Sequence, residues 1–352
     1  MHSMLQAHHP VRIFAISGIL TLLSLIAVFH FLGPQAAFVT LILIVIEVTF
    51  SFDNAIVNAK VLMTMSRFWQ QMFLTVGVVI AVFGMRLIFP ILLVMLTAGL
   101  PWNEVVNLAL NNPEMYAKEL NDAHVSIASF GGMFLLMLCL HFFFDASRKV
   151  RWIDIIEKPL QRIGHWWVYG LASFVVLVIL TILPMNEHKI DTFVAGLCGI
   201  ITYLLVHGLA ELFSKKESAS ETAKLVAKTG MAGFTAFLYL EVLDASFSLD
   251  SVIGAFAVTK DVVLIAIGLG VGAIWVRSLT IFMVRQHVLG AYRYIEHGAH
   301  YTIGMLAAVL LLGIFWHVSE FVAGIIGIVI IGAAIFSSIL KQRQEQAHGF
   351  PR

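Results

Sequence analysis

Long apolar stretches separated by short polar connections restrict the possible folds of this chain more than any other feature. Each stretch is about 20 residues long, the length that an α-helix needs to cross the hydrocarbon core of a membrane. Charged residues make up only 12% of the chain and hydrophobic residues 60%, whereas soluble domains carry about 25% charge. We therefore predict an all-α polytopic membrane protein with about ten transmembrane helices. The stretches fall at about 12–32, 36–60, 70–97, 125–145, 166–185, 191–212, 229–258, 261–283, 300–317 and 319–340.

Composition excludes several other classes of protein. A formal net charge of +1, with the basic residues divided among short loops, gives no electrostatic basis for binding nucleic acid. Cys139 and Cys198 are the only cysteines and both lie in apolar stretches, so neither a disulfide scaffold nor a cysteine metal cluster is expected. The first stretch has no small-residue cleavage site and is interpreted as a retained helix. No His-Glu-x-x-His protease motif occurs, and we expect no enzymatic activity.

The distribution of lysine and arginine predicts the orientation in the membrane. Loops 146–165 and 213–228 are rich in basic residues, and short loops of this kind remain in the cytoplasm. Ten helices then place both termini in the cytoplasm, in what we expect to be a bacterial inner membrane. Loop 98–124 is acidic and falls on the opposite side. We interpret it as a solvated loop, with a lid or cation attractor as the alternative.

An internal repeat links the two halves of the sequence. The segment Glu47–Asn54, Glu-Val-Thr-Phe-Ser-Phe-Asp-Asn, is echoed by Asp244–Ser251, Asp-Ala-Ser-Phe-Ser-Leu-Asp-Ser. Downstream, Gly77–Arg86 matches Gly268–Arg277 in spacing, which brings two arginines within apolar stretches into register. The sequence therefore contains two related segments that preserve charged residues inside predicted membrane helices.

Each repeat contains three helices, the third beginning near Gly132 or Gly304. The first repeat starts at the second predicted helix and the second repeat at the seventh, so the two enter the membrane from opposite sides. Such inverted repeats are typical of secondary transporters, whose sites lie near the bilayer midplane. The predicted division is an N-terminal helix at 1–35, the first repeat at 36–145, connecting helices and loops at 146–228, the second repeat at 229–320, and a last helix with a cytoplasmic tail at 321–352.

Seven charged residues lie within the predicted membrane helices. Each such residue costs about 2.5–3.5 kcal/mol to insert at the centre of a helix, which a protein selected only for stability would avoid. This pattern favours a functional site. The residues are Glu47, Asp53, Arg86, Glu241, Asp244, Asp250 and Arg277.

The polar side chains of each motif share a helix face, at 100° per residue. Asp53 and Asp250 lie at the edge of that face, and both can reach one cavity if the helices unwind near Ser51 and Ser248. Oxygen ligands without histidine or cysteine suit a hard divalent cation such as Mg²⁺, Ca²⁺ or Mn²⁺. The metal-site candidates are Glu47, Asp53, Asn54, Asp244 and Asp250, with Ser51, Glu241, Ser248 and Ser251 as accessory residues.

Other roles remain open for several of these residues. Small residues such as Ser51 and Ser248 also permit close helix packing, and Glu241 can equally carry a proton. Arg86 and Arg277 can neutralise the carboxylates, gate the path or reach the membrane interface, and structural ion pairing is favoured.

Two histidines lie near the start of the ninth predicted helix. His297 and His300 are three residues apart and so lie on one helix face, as a shared ligand or a proton relay requires. The alternative is that both are simply polar residues at a helix start.

The two acidic motifs resemble those of the TerC family of integral membrane proteins. The first carries Glu47, Asp53 and Asn54, and the second carries Asp244 and Asp250, with Ser251 where the first has asparagine. The segment around Arg277 and Glu296–Tyr301 is similar to an uncharacterised branch of that family. The resemblance implies metal-ion efflux, chiefly of manganese, within the LysE-type superfamily, and an association with tellurium resistance.

We therefore expect an exporter of a divalent cation, with Mn²⁺ favoured, exchanged for protons through the carboxylate site. A Ca²⁺ or amino-acid exporter and a membrane scaffold that transports nothing are the alternatives. The expected partners are the metal ion, protons and the lipid bilayer. No resident cofactor is expected, and the oligomeric state is left open.

Overall fold

The structure is a computed structural model that describes residues 10–165, 167–218, 227–316 and 320–347. Across these ranges the secondary structure is helical, and the only β-type pairing is an isolated bridge between Met65 and Lys228. Within them, seven helices are long and apolar enough to cross a membrane, and two bent helix pairs raise the number to nine. The protein is thus an all-α polytopic membrane protein, as predicted.

Sixteen α-helices and one π-helix make up the described chain. They are α1 Pro10–Leu32, α2 Pro34–Phe50, α3 Phe52–Met63, α4 Arg67–Val79, the π-helix Ile80–Ile88, α5 Phe89–Ala98, α6 Trp102–Asn111, α7 Pro113–Asp122, α8 His124–Phe144, α9 Asp154–Ile163, α10 Val168–Ile182, α11 Lys189–Ser218, α12 Gly230–Val258, α13 Val262–Arg285, α14 Val288–Ala291, α15 Ile295–Gly313 and α16 Glu320–Ala347.

Every predicted apolar stretch coincides with a helix or a group of consecutive helices. The third stretch is a continuous span, Arg67–Ala98, that includes the π-helix. The seventh stretch is α12, which has 29 residues and is not among the nine candidate spans found in the described residues. Predicted loop 213–228 begins with the end of α11, and residues 219–226 lie outside the described residues.

The acidic segment 98–124 is more ordered than the predicted solvated loop. It forms α6 and α7, which pack against each other and against α5. Val105 and Ala109 on α6, and Tyr116 and Leu120 on α7, are buried. The missed signal is their spacing of four residues, which places each apolar pair on one helix face.

The chain forms two compact units, of which the first contains Met1–Ile127 and Leu204–Gln286. In this unit α13 packs on α2, and α12 packs on the π-helix. The first helix of each predicted repeat therefore contacts the second helix of the other repeat. Glycine permits the close approach, because a Cβ atom on Gly268 would lie 2.5 Å from Leu43 Cβ.

The second unit contains Ala128–Tyr203 and His287–Arg352. Here α15 packs on α16, and a Cβ atom on Gly298 would lie 2.6 Å from the side chain of Ala334. Gly304 on α15 faces Cys139 on α8 at a similarly short distance. This unit thus holds the third helix of each predicted repeat.

Candidate functional site

The second predicted span is broken inside the first acidic motif. Ser51 separates α2 from α3 with φ −96° and ψ 17°, and the two helices are bent by 53°. Asp53 lies in the first turn of α3, where its carboxylate accepts the N–H of Asn54 at 2.9 Å. The helix break near Ser51 that a shared cavity requires is therefore present, whereas α12 continues through Ser248 without a break.

Glu47, at the end of α2, forms a buried ion pair with Arg86 on the π-helix. Arg86 Nη2 donates to Glu47 Oε1, and Arg86 Nη1 donates to the carbonyl of Ala81 at 2.6 Å. Ser51 lies at the edge of the pair, with its Oγ 3.4 Å from Glu47 Oε1. Both partners are buried, so each charge depends on the other for compensation.

Arg277 on α13 pairs with two carboxylates of α12. Its Nη2 lies 3.2 Å from Asp244 Oδ2 and 3.3 Å from Glu241 Oε1. The same guanidinium donates to the carbonyls of Phe73 and Gly77, at 2.9 Å and 3.2 Å, and lies 3.7 Å above the Phe73 ring. A planar guanidinium can meet all these acceptors at once, which a lysine ammonium cannot.

The two ion pairs occupy matching positions in the repeat. In each half, the first residue of the acidic motif, Glu47 or Asp244, pairs with the arginine of the following repeat helix, Arg86 or Arg277. Both arginines are thus ion-paired with carboxylates, and their structural role stays a prediction. The inverted orientation of the two repeats and a gating role for the arginines stay predictions.

The two acidic motifs are also bonded to each other. Asn54 Nδ2 donates to Asp244 Oδ1 at 2.9 Å. Gly77 leaves room beside this cluster, since a Cβ atom there would lie 2.5 Å from Glu241 Oε1. The structure therefore brings together Glu47 with Arg86, and Asn54 with Asp244, Glu241 and Arg277.

Several buried oxygens of the motifs have no hydrogen-bond partner among the residues that the structure describes. A buried polar atom left in this state costs about 1–3 kcal/mol, so a stable protein usually supplies a partner. The carboxylate oxygens among these atoms can take up a proton, and all of these atoms can accept a hydrogen bond or bind a cation. They are Asp53 Oδ2, Asn54 Oδ1, Glu47 Oε2 and Ser248 Oγ.

The described acidic groups outnumber the basic groups of the cluster. Glu47, Asp53, Glu241 and Asp244 are four buried carboxylates, while Arg86 and Arg277 are two guanidiniums. In the described part of the chain, no lysine or arginine pairs with Asp53. An isolated carboxylate buried away from water is strongly unfavourable, so Asp53 requires either a proton or a cation.

The predicted site is only partly assembled in the described residues. Within them, no three His, Cys, Asp or Glu side chains are close enough together to hold a metal ion. The side chain of Asp250, a predicted ligand, lies outside the described residues. Ser251 donates to the carbonyl of Ser248 at 3.0 Å, which is a bond within the helix.

The two predicted accessory histidines belong to the second unit. His297 Nε2 lies 3.0 Å from the carbonyl of Val150 and 3.5 Å from Glu157 Oε2. His300 Nδ1 lies 2.8 Å from the carbonyl of Glu296 and its ring stacks on Phe142 at 3.6 Å. These contacts serve packing and hydrogen bonding within that unit, and a ligand role for either histidine stays a prediction.

Glu157 is a buried acid that is not among the predicted site residues. Its carboxylate accepts the N–H groups of Trp152 and Ile153, both at 3.1 Å, and the hydroxyl of Tyr301 at 3.2 Å. Glu157 lies in segment 146–165, whose composition predicts only a basic loop, whereas the structure forms α9 there. The signal that could have identified the helix is the apolar spacing of Ile155–Ile163.

Asp145, which follows the last residue of α8, has a shifted pKa. Partial burial raises the pKa of Asp145, but hydrogen bonds from the side chain and N–H of Ser147, together with the charge of Arg148, outweigh burial. The net effect lowers the pKa of Asp145 below its usual value of 3.8. The charged form of this carboxylate is therefore favoured in the folded protein.

The fold and the paired charges define a polytopic helical membrane protein with a polar network inside its membrane helices. The chain belongs to the DUF475 family, described as proteins of unknown function, whose model matches residues 52–345. The match begins at α3 and includes Asp53, both arginines and the whole second motif. No curated protein and no solved structure matches the chain.

Proposed function

We propose that this protein is a secondary transporter that exports a divalent cation, with Mn²⁺ as the favoured substrate. The observation that carries the proposal is Asp53, a buried carboxylate without a cationic partner in the described residues, at a break between two membrane helices. Broken helices with exposed backbone and buried charge are the usual binding elements of transporters. The oxygen-rich surroundings suit a hard cation.

The arginine pairs fit such a cycle. In this conformation Arg86 and Arg277 compensate the charges of Glu47 and Asp244. A cation that binds at Asp53 and the amide oxygen of Asn54 competes with the arginines for the neighbouring carboxylates. Protonation of the same carboxylates releases the cation, because metal ligands must be deprotonated.

Charge distribution and motif resemblance supply the remaining parts of the proposal. The basic residues of loop 146–165 favour a cytoplasmic location for this loop. With ten membrane helices, both termini are then also cytoplasmic, in a protein of the bacterial inner membrane. The resemblance of the two motifs to TerC proteins supports Mn²⁺ as the substrate and efflux as the direction. We propose that the metal ion is exchanged for protons, because carboxylates are the only charged ligands in the proposed site and each can bind either a metal ion or a proton.

Reconstitution of the full-length chain into liposomes tests this function. We expect Mn²⁺ flux driven by a pH gradient, and a loss of at least about tenfold in Asp53→Asn, since the loss of about 1.4 kcal/mol of binding energy corresponds to tenfold. Asp122→Asn is the matched control, because Asp122 is an exposed residue of α7. Its flux should equal that of the wild type.

Three other outcomes would contradict the proposal. Wild-type flux in Asp53→Asn would remove Asp53 from the site. Faster movement of Ca²⁺ or an amino acid than of Mn²⁺ would favour the alternative exporters. A properly folded protein that moves none of these substrates would favour a scaffold.

Cysteine labelling tests the proposed orientation separately. Single cysteines at Ser147 and Asn111, both exposed, should react from opposite sides of the membrane. Ser147 should react only from the cytoplasmic side. Reaction of both from one side would contradict the predicted topology and, with it, the inverted repeat.

A further inference from the structure

The short helix α9 exposes an apolar face to its surroundings. Ile155 is 88% exposed and Ile163 is 56% exposed, and Ile156 is exposed as well. On a regular helix these three side chains lie within about 100° of one another. Contiguous exposed apolar surface of this kind marks a site of contact with a membrane or a partner.

The opposite face of α9 is fixed to the second unit by Glu157. This buried residue lies about 160° around the helix from Ile155. It accepts bonds from Trp152, Ile153 and Tyr301 and lies 3.5 Å from His297. Because the inner face is held by these contacts, the isoleucines point away from the protein.

The direction of α9 places its apolar face at the membrane surface. Helices α9 and α10 are bent by 105° relative to each other. The apolar residues Leu171, Val175 and Ile179 of α10 are exposed, as expected for a helix that faces lipid. Because α9 is nearly perpendicular to α10, only α10 of this bent pair would cross the bilayer, and α9 would lie along the bilayer interface.

An exposed aromatic residue lies at the junction between α9 and α10. Trp167, the residue just before α10, is 51% exposed. Tryptophan is enriched where the hydrocarbon core meets the headgroups. The junction between α9 and α10 therefore has the composition of a membrane interface.

Basic side chains border the apolar face. Lys158 and Arg162 are exposed and lie about 60° and about 20° around the helix from Ile155. In the described part of the chain neither forms an ion pair, whereas Arg151 is bonded to Asp154 at 2.6 Å. Cations beside an apolar face are arranged to meet phosphate groups while the apolar side chains enter the bilayer.

We propose that this surface binds the anionic phospholipids of the surrounding bilayer. The isoleucines Ile155, Ile156 and Ile163 enter the upper acyl region, and Lys158 and Arg162 bind the headgroup phosphates. The proposal is independent of the transported substrate, because it uses no residue of the acidic motifs.

Depth measurements in nanodiscs test the apolar part. A fluorophore is attached to Ile155→Cys or Asp154→Cys in a full-length background carrying Cys139→Ala and Cys198→Ala. We expect lipid-borne quenchers near the headgroup to reach the label at 155, and aqueous iodide to reach the label at 154. Equal access of iodide to both labels would overturn the proposal.

Dilution to one protein per nanodisc distinguishes lipid from a second copy of the chain. A surface covered by lipid keeps its protection from iodide at every protein-to-lipid ratio. Protection at 155 that appears only with two copies per nanodisc would overturn the proposal and assign this surface to self-association.

Lipid composition tests the basic part. Nanodiscs of phosphatidylcholine are compared with nanodiscs in which phosphatidylglycerol replaces a fraction of it, and quenching at 155 by labelled phosphatidylglycerol is measured. Combining Lys158→Gln with Arg162→Gln should weaken the preference for phosphatidylglycerol by about tenfold or more, given about 1 kcal/mol per basic residue near an anionic surface. Lys118→Gln with Lys189→Gln, both exposed, is the control. An unchanged preference in the first double variant would overturn the proposal.

Discussion

Asn54 Nδ2 lies 2.9 Å from Asp244 Oδ1, and this hydrogen bond joins the two acidic motifs across 190 residues of sequence. The other carboxylate oxygen of Asp244 is 3.2 Å from Arg277 Nη2, so Asp244 is shared between the two repeats. The bond also fixes the amide of Asn54, whose own oxygen has no hydrogen-bond partner in the described part of the chain. A cation that binds Asn54 must therefore act on Asp244 as well.

The bond between Asn54 and Asp244 should contribute measurably to stability. Asn54→Ala removes a donor to a buried charged acceptor, and we expect a loss of about 1.5–3 kcal/mol. This loss should appear as a lower thermal midpoint of the purified protein in detergent. Asn111→Ala, at an exposed position, should change stability by less than about 0.5 kcal/mol. Identical midpoints for Asn54→Ala and the wild type would show that the bond contributes nothing.

Arg277 should contribute far more to stability when Glu241 and Asp244 are charged than when both are replaced by neutral residues. Arg277→Met leaves Glu241 and Asp244 buried without compensation, and removing one partner of a buried pair costs about 3–5 kcal/mol. Combining it with Glu241→Gln and Asp244→Asn removes the uncompensated charge.

A thermodynamic cycle of these variants separates charge from packing. The triple variant should recover a substantial part of the thermal midpoint lost by Arg277→Met, because neutral side chains tolerate the membrane interior better than ions. If the three substitutions simply add, the carboxylates do not depend on Arg277.

The hydropathy of the sequence was sufficient to predict the membrane helices but not their irregularities. Apolar length alone specifies a spanning helix, so all ten stretches are helical. The break at Ser51 has neither glycine nor proline to mark it. No sequence feature indicates the π-helix Ile80–Ile88 either. This helix carries Arg86, whose partner Glu47 is distant in the chain. Such features arise from contacts between helices.

The site was predicted by residue type but not by pairing. Insertion energetics identified the intramembrane charges, because an ion within a membrane helix is costly whatever its partner. The bond between Asn54 and Asp244 joins the two repeats, and a comparison that aligns the repeats does not indicate which residues of one contact the other. The histidines at 297 and 300 resembled ligands by their spacing, but packing within the second unit governs their contacts.

Acid should weaken the part of the stability that depends on Asp145. Because the folded-state pKa is lowered below 3.8, the stabilisation is fully present above pH 3.8 and is lost as pH falls through the folded-state pKa. We expect the thermal midpoint of Asp145→Asn to lie below that of the wild type at neutral pH and to approach it in strong acid. Asp122→Asn, at an exposed position, is the control. A difference between Asp145→Asn and the wild type that does not change with pH would contradict the assignment to charge.

Replacing Gly272 by a larger residue should destabilise the protein, because α13 packs closely against Glu47 at this position. A Cβ atom on Gly272 would lie 2.6 Å from both Cβ and Cγ of Glu47, which are close to the backbone and cannot move away freely. Gly272→Ala should therefore destabilise the protein by about 1–3 kcal/mol through overpacking and should disturb the pair between Glu47 and Arg86. Gly84→Ala is the matched control, because its nearest contact would be an ordinary 3.5 Å to Ile80. Comparing thermal midpoints of the two variants tests the packing, and equal midpoints would mean that α13 can move away from Glu47 without loss.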